Sequence, residues 1–96
     1  MDAKVKEAIV RAVKREPFAQ ALKMELLNLE TGHSVVEMTF QPETMTNIYD
    51  RAHGGAIFAL IDEAFETACQ THGTIAVALN VNITYLLLPS FVSSLL

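Results

Sequence analysis

The sequence has few of the features that mark nucleic-acid-binding, disulfide-linked or membrane-spanning proteins. Its 96 residues include seven Lys and Arg against eleven Asp and Glu, no Trp and one cysteine. A net charge of −4 argues against a nucleic-acid surface, because phosphate groups are bound by clustered basic side chains. The lone Cys69 excludes an intrachain disulfide, and no apolar run approaches the roughly 18 to 20 residues of a membrane span. We therefore expect a cytoplasmic protein without nucleic-acid or membrane partners.

The first part of the chain predicts an amphipathic helix followed by a β-hairpin. Residues 2–16 have apolar side chains at helical spacing opposite a charged face, and Pro17 ends the pattern. Two runs of alternating apolar residues follow at 21–30 and 35–40, with a slip near Leu26 that indicates a β-bulge. The short turn at 30–33 between them predicts an antiparallel pair of strands.

The longest predicted helix lies between the Gly pair at 54–55 and Gly73. Pro42 ends the preceding strand and begins a polar loop, and the helix of about 17 residues starts after this loop. Asp62 lies off the apolar face of this helix. We expect that face to be buried; it comprises Ile57, Leu60, Ile61, Ala64, Phe65 and Ala68.

The stretch from Thr74 to Leu86 has the clearest strand pattern in the chain. Its odd-numbered positions from Ile75 to Tyr85 are apolar, and the alternate row includes Ala78 and Asn80. This alternation predicts a strand of about 12 residues that lies against the long helix.

Most of the residues that could take part in catalysis or binding admit two interpretations. The three histidines fit no metal-ligand spacing, so we expect no metal and no cofactor. The N–H groups of Gly54 and Gly55 could stabilise an oxyanion, or the pair could only permit a tight turn. Asp62 is either a general base or a solvent-facing carboxylate, and Asn47 is equally compatible with a turn.

Several of these residues together resemble the hotdog-fold acyl-CoA thioesterases of the phenylacetate-degradation (PaaI-like) type. The match runs from about Pro17 to Leu86. The resemblance implies an α+β hotdog fold, in which an antiparallel sheet wraps around one long central helix. It also implies a homo-oligomer, a dimer or tetramer, with active sites at the subunit interface. The residues that carry it are Asn47, His53-Gly54-Gly55, Leu60, Asp62, Gly73 and Asn82-Ile83-Thr84-Tyr85.

The resemblance also implies the reaction, hydrolysis of an acyl-CoA substrate to a free acid and coenzyme A. The Gly54 N–H, with that of Gly55, would polarise the thioester carbonyl. Asn47 would help hold this carbonyl or the attacking water. Asp62, from the opposite subunit, would act as general base or nucleophile.

The remaining expected contacts lie on the substrate-binding side of the site. His53 would shape the turn at the helix start. Ala78, with Asn80 nearby, lies where relatives often carry a Ser or Thr.

The end of the chain departs from the family pattern. Relatives continue past a Tyr-Leu-Arg-Pro-like segment into two or more further strands, whereas this chain reads YLLLPSFVSSLL over residues 85–96. We therefore expect one shortened hotdog domain over residues 1–96 that lacks the usual last strands. The alternative to an enzyme is a non-catalytic acyl-CoA-binding module or an inactive scaffold.

Overall fold

The computed structural model describes residues 1–78 and 80–86, and the backbone of residues 94–95. In it, a β-hairpin packs against one long helix, and shorter helices flank this pair. Among the described residues, no helix is both long and apolar enough to cross a membrane. The helices are α1 (Ala3–Arg15), α2 (Pro17–Ala21), α3 (Pro42–Met45) and α4 (Gly54–Cys69), and the strands are β1 (Met24–Glu30), β2 (His33–Thr39) and β3 (Ser94–Leu95).

The predicted first helix is confirmed as α1. The Asp2 side chain caps it by accepting a hydrogen bond of 2.7 Å from the Lys4 backbone N–H. Val13 is the buried residue of α1. Pro17 does more than end this helix: it is the first residue of α2, where a missing N–H has no cost because the first helical N–H groups have no partner within the helix.

The predicted hairpin is confirmed, together with its bulge. β1 and β2 pair antiparallel up to Glu30 and His33, so the turn has two residues, and Gly32 adopts a φ of 70°. The pairing shifts between Leu26 and Asn28, because an extra residue is inserted at Leu27.

The core lies between β2 and α4. Val36, Met38 and Phe40 are buried, as their alternation predicts. Two side-chain hydrogen bonds fix the contact of β2 with the helix: Ser34 Oγ donates to the Ala64 carbonyl at 2.7 Å, and Thr67 Oγ1 donates to Ser34 Oγ at 2.9 Å.

The predicted buried face of α4 is partly wrong. Leu60 is buried, but Ile61 and Phe65 are 45% and 47% exposed, and Glu63 is only 4% exposed. The buried positions are instead spaced four, three and four residues apart, and one of them, Thr67, contacts Ser34 of β2. The buried residues of α4 are Ala56, Leu60, Glu63 and Thr67.

The predicted strand at 74–86 is also wrong, since residues 74–78 and 80–86 form no strand. Alternation indicates an extended backbone, but a strand also needs a neighbouring strand, and none of the described residues supplies one. The edge of β2 pairs with β3 instead, at Met38 and Thr39. Most of the C-terminal stretch that departs from the family pattern, residues 87–93 and 96, lies outside the described part.

Side chains hold both ends of this extended segment. Gln70 forms a pair of hydrogen bonds with Ala76: its Nε2 donates to the Ala76 carbonyl at 2.6 Å, and the Ala76 N–H donates to its Oε1 at 3.0 Å. At the other end, Tyr85 Oη donates to the Gly54 carbonyl at 2.7 Å. The segment therefore returns alongside α4, from the end of the helix to its start.

Candidate active site

His53 determines the hydrogen bonding at the start of α4. Its ring Nδ1 accepts a hydrogen bond of 2.8 Å from the Gly55 backbone N–H, so the imidazole caps the helix. The N–H of Gly54 has no acceptor among the described residues. The Gly55 N–H is therefore already bound, and the Gly54 N–H remains as the candidate oxyanion donor, a role that stays a prediction.

Both glycines lie where other groups approach closely. A Cβ atom at Gly55 would lie 3.0 Å from Nδ1 of His53, tighter than ordinary packing allows. A Cβ atom at Gly54 would contact the Tyr85 ring at 3.4 Å. The Gly pair thus serves the tight geometry of the turn, and the Gly54 N–H is left without an acceptor among the described residues.

Asn47 is held in the loop before α4. Its Oδ1 accepts hydrogen bonds from the backbone N–H groups of Tyr49, at 2.8 Å, and Arg51, at 3.1 Å. The turn interpretation of Asn47 therefore holds for the side-chain oxygen. The amide Nδ2 remains as the group that could donate to a ligand. A hydrogen bond of 2.7 Å from the His53 N–H to the Met45 carbonyl ties this loop to the helix start.

Asp62 lies on a groove between α4 and the returning segment. It is exposed, and the groove has a volume of about 590 Å³. The structure brings Asp62 together with Ala78 and Asn80, two of the residues predicted to contact substrate. The groove is lined by Phe58, Ile61, Asp62, Phe65, Val77, Ala78, Asn80, Val81 and Asn82.

The structure does not bring Asp62 close to Gly54 of the same chain. The two are eight residues apart on one helix, which corresponds to about 12 Å along its axis. A single chain therefore separates the predicted base from the predicted oxyanion donor, as expected if each site uses two subunits.

Three carboxyl groups meet on another face of α4. Oxygen atoms of Glu16, Glu63 and Glu66 lie within 4.8 Å of one another. Burial raises the pKa of Glu63 to about 9, and the nearby Glu16 carboxyl adds to the shift. Burial also raises the pKa of Glu66. These are the described residues that could offer oxygen ligands to a metal ion, but a proton on Glu63 at neutral pH opposes cation binding.

Sequence reasoning missed Tyr85 as part of this site. The alternation of apolar residues from 75 to 85 places Tyr85 in the apolar row of a strand. No local signal indicates its hydrogen bond to Gly54, 31 residues away. The only available signal was its position within the Asn82–Tyr85 stretch that carries the family resemblance.

Comparisons with known proteins show what this arrangement resembles. The Thioesterase superfamily model matches residues 49–87, which include His53, Gly54 and Asp62 but not Asn47. The acyl-coenzyme A thioesterase PaaI of Escherichia coli is 38% identical over 68 residues, covering 71% of this chain and 48% of that protein. A putative esterase of Archaeoglobus fulgidus is 37% identical over 73 residues, covering 76% and 47%.

The fold agrees with these sequence matches. The solved structure of the PaaI protein from the E. coli phenylacetic acid degradation operon superposes with a TM-score of 0.81, at 31% identity, over 90% of this chain and 62% of that one. The chain is therefore similar to the hotdog-fold thioesterases in sequence and in fold. The resemblance and the α+β hotdog fold expected from the sequence are confirmed. The chain spans about half the length of the curated hotdog relatives that it matches.

Proposed function

We propose that the chain hydrolyses an acyl-CoA thioester, with the Gly54 N–H as oxyanion donor and Asp62 as general base. The observation that carries this proposal is the Gly54 N–H, which begins a helix of 16 residues and has no acceptor among the described residues. The E. coli relative named an acyl-coenzyme A thioesterase supports the choice of substrate class.

The Gly54 N–H has the properties that the developing oxyanion requires. The first N–H groups of a helix lack internal partners, and the helix dipole adds partial positive charge at this end. A thioester carbonyl that accepts this hydrogen bond gains negative charge during attack, so the bond strengthens in the transition state. The Nδ2 group of Asn47 is a second candidate donor to the same carbonyl.

Asp62 supplies the basic oxygen. In the general-base route, Asp62 takes a proton from water while the water oxygen bonds to the thioester carbon, and collapse of the intermediate breaks the C–S bond and releases the coenzyme A thiolate. In the nucleophile route, the carboxylate attacks the carbon itself, and the C–S bond breaks as the coenzyme A thiolate leaves. Water then hydrolyses the mixed anhydride to the free acid and regenerates the Asp62 carboxylate. Phe58 and Phe65, beside Asp62 in the groove, offer an apolar surface to the acyl group.

A complete site requires two subunits in this proposal. The separation of about 12 Å along α4 prevents Gly54 and Asp62 of one chain from acting on the same carbonyl. Each site would combine Gly54 with Asp62 of the partner subunit, in a homo-oligomer that is a dimer or a larger assembly. The exposure of Ile61 and Phe65, which flank Asp62, supports contact with another subunit on this face.

The first test measures release of coenzyme A thiol from aryl-acetyl, short, medium and long acyl-CoA substrates. We expect Asp62→Asn to lower kcat by about 100-fold or more, because it keeps the side-chain shape and removes the basic oxygen. Glu7→Gln, which neutralises an exposed carboxylate on α1, is the matched control and should hydrolyse at the wild-type rate.

Three results would contradict this proposal. Wild-type turnover in Asp62→Asn would make Asp62 an ordinary surface carboxylate. Tight coenzyme A binding without turnover by the wild-type chain would identify a binding module, and neither binding nor turnover would favour a scaffold. Circular dichroism of both variants must match the wild type for the comparison to stand.

A further inference from the structure

The peptide group between Gly54 and Gly55 is hydrogen-bonded at both ends by side chains. Its carbonyl oxygen, on Gly54, accepts a hydrogen bond of 2.7 Å from Tyr85 Oη. Its N–H, on Gly55, donates a hydrogen bond of 2.8 Å to His53 Nδ1. The two partners come from different parts of the chain, one next to the helix start and one from the end of the returning segment.

We infer that Tyr85 and His53 are positioning residues that clamp this peptide group and thereby fix the direction of the neighbouring Gly54 N–H. The inference rests on the proposed function, in which the Gly54 N–H stabilises the oxyanion. Gly54 links the two peptide groups, so a rotation of the clamped group changes the backbone angles of Gly54 and redirects its N–H.

A clamp is needed here because the two linked residues are glycines. Glycine has the widest range of backbone angles, and the first turn of a helix lacks the hydrogen bonds that order its interior. An oxyanion donor stabilises the transition state only if it is aimed in advance, since a small misplacement costs a large part of the rate.

The clamping side chains also lie close against the glycines. The His53 ring lies where a Cβ at Gly55 would come within 3.0 Å, and the Tyr85 ring lies 3.4 Å from a Cβ position at Gly54. The contact with His53 further requires an unprotonated Nδ1, since this atom accepts the hydrogen bond. The imidazole therefore acts as a cap of α4.

Steady-state kinetics test each end of the clamp. We expect Tyr85→Phe to lower kcat about 10-fold while KM stays within about twofold, because the aim of the donor affects the transition state more than the bound substrate. Tyr49→Phe removes the other tyrosine hydroxyl of the chain, on an exposed loop residue, and should leave kcat unchanged. His53→Ala should lower kcat similarly, and His53→Asn, which keeps an acceptor for the Gly55 N–H, should restore kcat to within about twofold of wild type.

NMR tests the clamp without relying on activity. The chain has four glycines, so labelling with ¹⁵N-glycine gives four backbone amide signals. Tyr85→Phe should shift the signals of Gly54 and Gly55 and leave those of Gly32 and Gly73 in place, whereas Tyr49→Phe should shift neither of the clamped pair.

The outcomes separate failure of the clamp from failure of the proposed function. Unmoved Gly54 and Gly55 signals in Tyr85→Phe, or an unchanged kcat in both Tyr85→Phe and His53→Ala while Asp62→Asn is inactive, would overturn the clamp alone. Failure of His53→Asn to restore kcat in a folded protein would assign the imidazole a direct chemical role and would also overturn it. Full activity in Asp62→Asn would instead overturn the proposed function, and the NMR shifts would still report whether the two hydrogen bonds form.

Discussion

At the residue scale, Glu63 departs most from what its amino-acid type leads one to expect. A glutamate on the sheet-facing side of α4 is 4% exposed, and its Oε2 atom has no hydrogen-bond partner among the described residues. Burial and the adjacent Glu16 carboxyl both favour the neutral acid, which raises the pKa from 4.5 to about 9. The folded chain therefore retains a proton on Glu63 that the unfolded chain loses above pH 4.5.

This difference predicts the pH dependence of stability. Because the folded state binds more protons than the unfolded state between pH 4.5 and 9, the free energy of unfolding should fall as the pH rises through this window. Glu63→Gln removes the titrating group and should be more stable than wild type at pH 8, by on the order of 1 to 3 kcal/mol. Urea unfolding at pH 5 and pH 8 measures both the pH dependence of the free energy of unfolding and the difference between the two proteins. Glu43→Gln neutralises an exposed carboxylate on α3 and should show the same pH dependence of the free energy of unfolding as wild type. If Glu63→Gln also shows that pH dependence, the raised pKa of Glu63 is disproved.

The sequence could identify the candidate chemical groups but not their hydrogen-bond partners. Gly54 and Asp62 were selected from a local motif, the Gly pair and a carboxylate nine residues after His53. Tyr85 and Glu63 were not, because their roles depend on contacts with residues that are distant in sequence. Helical periodicity also predicts burial of Ile61 and Phe65, and only the packing of the folded chain shows that Glu63 and Thr67 are buried instead.

At the element scale, one glutamine side chain substitutes for a neighbouring strand. The extended segment after Gly73 has no strand partner among the described residues, and its backbone at Ala76 is instead bound by the Gln70 side chain through two hydrogen bonds. Because this segment forms one wall of the groove that contains Asp62, Gln70 helps to determine the shape of that groove.

Replacement of Gln70 should therefore release the segment. Gln70→Met keeps the side-chain length and removes both hydrogen bonds, so we expect a loss of about 1 to 2 kcal/mol in the free energy of unfolding. Amide hydrogen exchange over residues 74–86 should become faster, while exchange over the hairpin should stay constant. Gln20→Met removes a comparable hydrogen bond, from Gln20 Nε2 to the Val13 carbonyl, and should leave exchange over 74–86 unchanged. If amide hydrogen exchange over residues 74–86 is equally fast in Gln70→Met and Gln20→Met, Gln70 does not hold the segment.

The elements that could be predicted from the sequence are those fixed by local interactions. The hairpin and its bulge near Leu26 follow from alternation and a two-residue turn, and Gly73 ends the helical stretch at a φ of 84°. The predicted strand at 74–86 failed because strand formation depends on a partner that alternation within the segment cannot reveal.

At the scale of the whole molecule, the described surface carries exposed apolar side chains on α4 and along the returning segment. Four of them, Ile61, Phe65, Val77 and Val81, line the groove that contains Asp62 and form an exposed apolar region there. Such a region is typical of a contact with another protein chain. The exposed apolar residues of α4 and of the returning segment include Ile61, Phe65, Ile75, Val77, Val81 and Leu86, which are 45%, 47%, 96%, 77%, 45% and 93% exposed. We propose that a second copy of the chain covers this region, since the separation of Gly54 from Asp62 also requires one.

Complementation between two inactive variants tests this proposal most directly. Asp62→Asn removes the base, and Gly54→Pro removes the N–H; proline suits the first helical position, and the backbone of the preceding His53, at φ −69° and ψ 133°, accepts a following proline. Each variant alone should be inactive. In a mixed dimer, one site combines the intact Gly54 of the Asp62→Asn chain with Asp62 of the partner subunit, so it is wild type, whereas the other site lacks both groups. Unfolding and refolding an equal mixture should restore about a quarter of wild-type activity, because half of the dimers are mixed and each has one intact site. Light scattering should show the same dimer mass in all samples, and a mixture that stays inactive, or a folded monomer at micromolar concentration, would contradict a site shared between subunits.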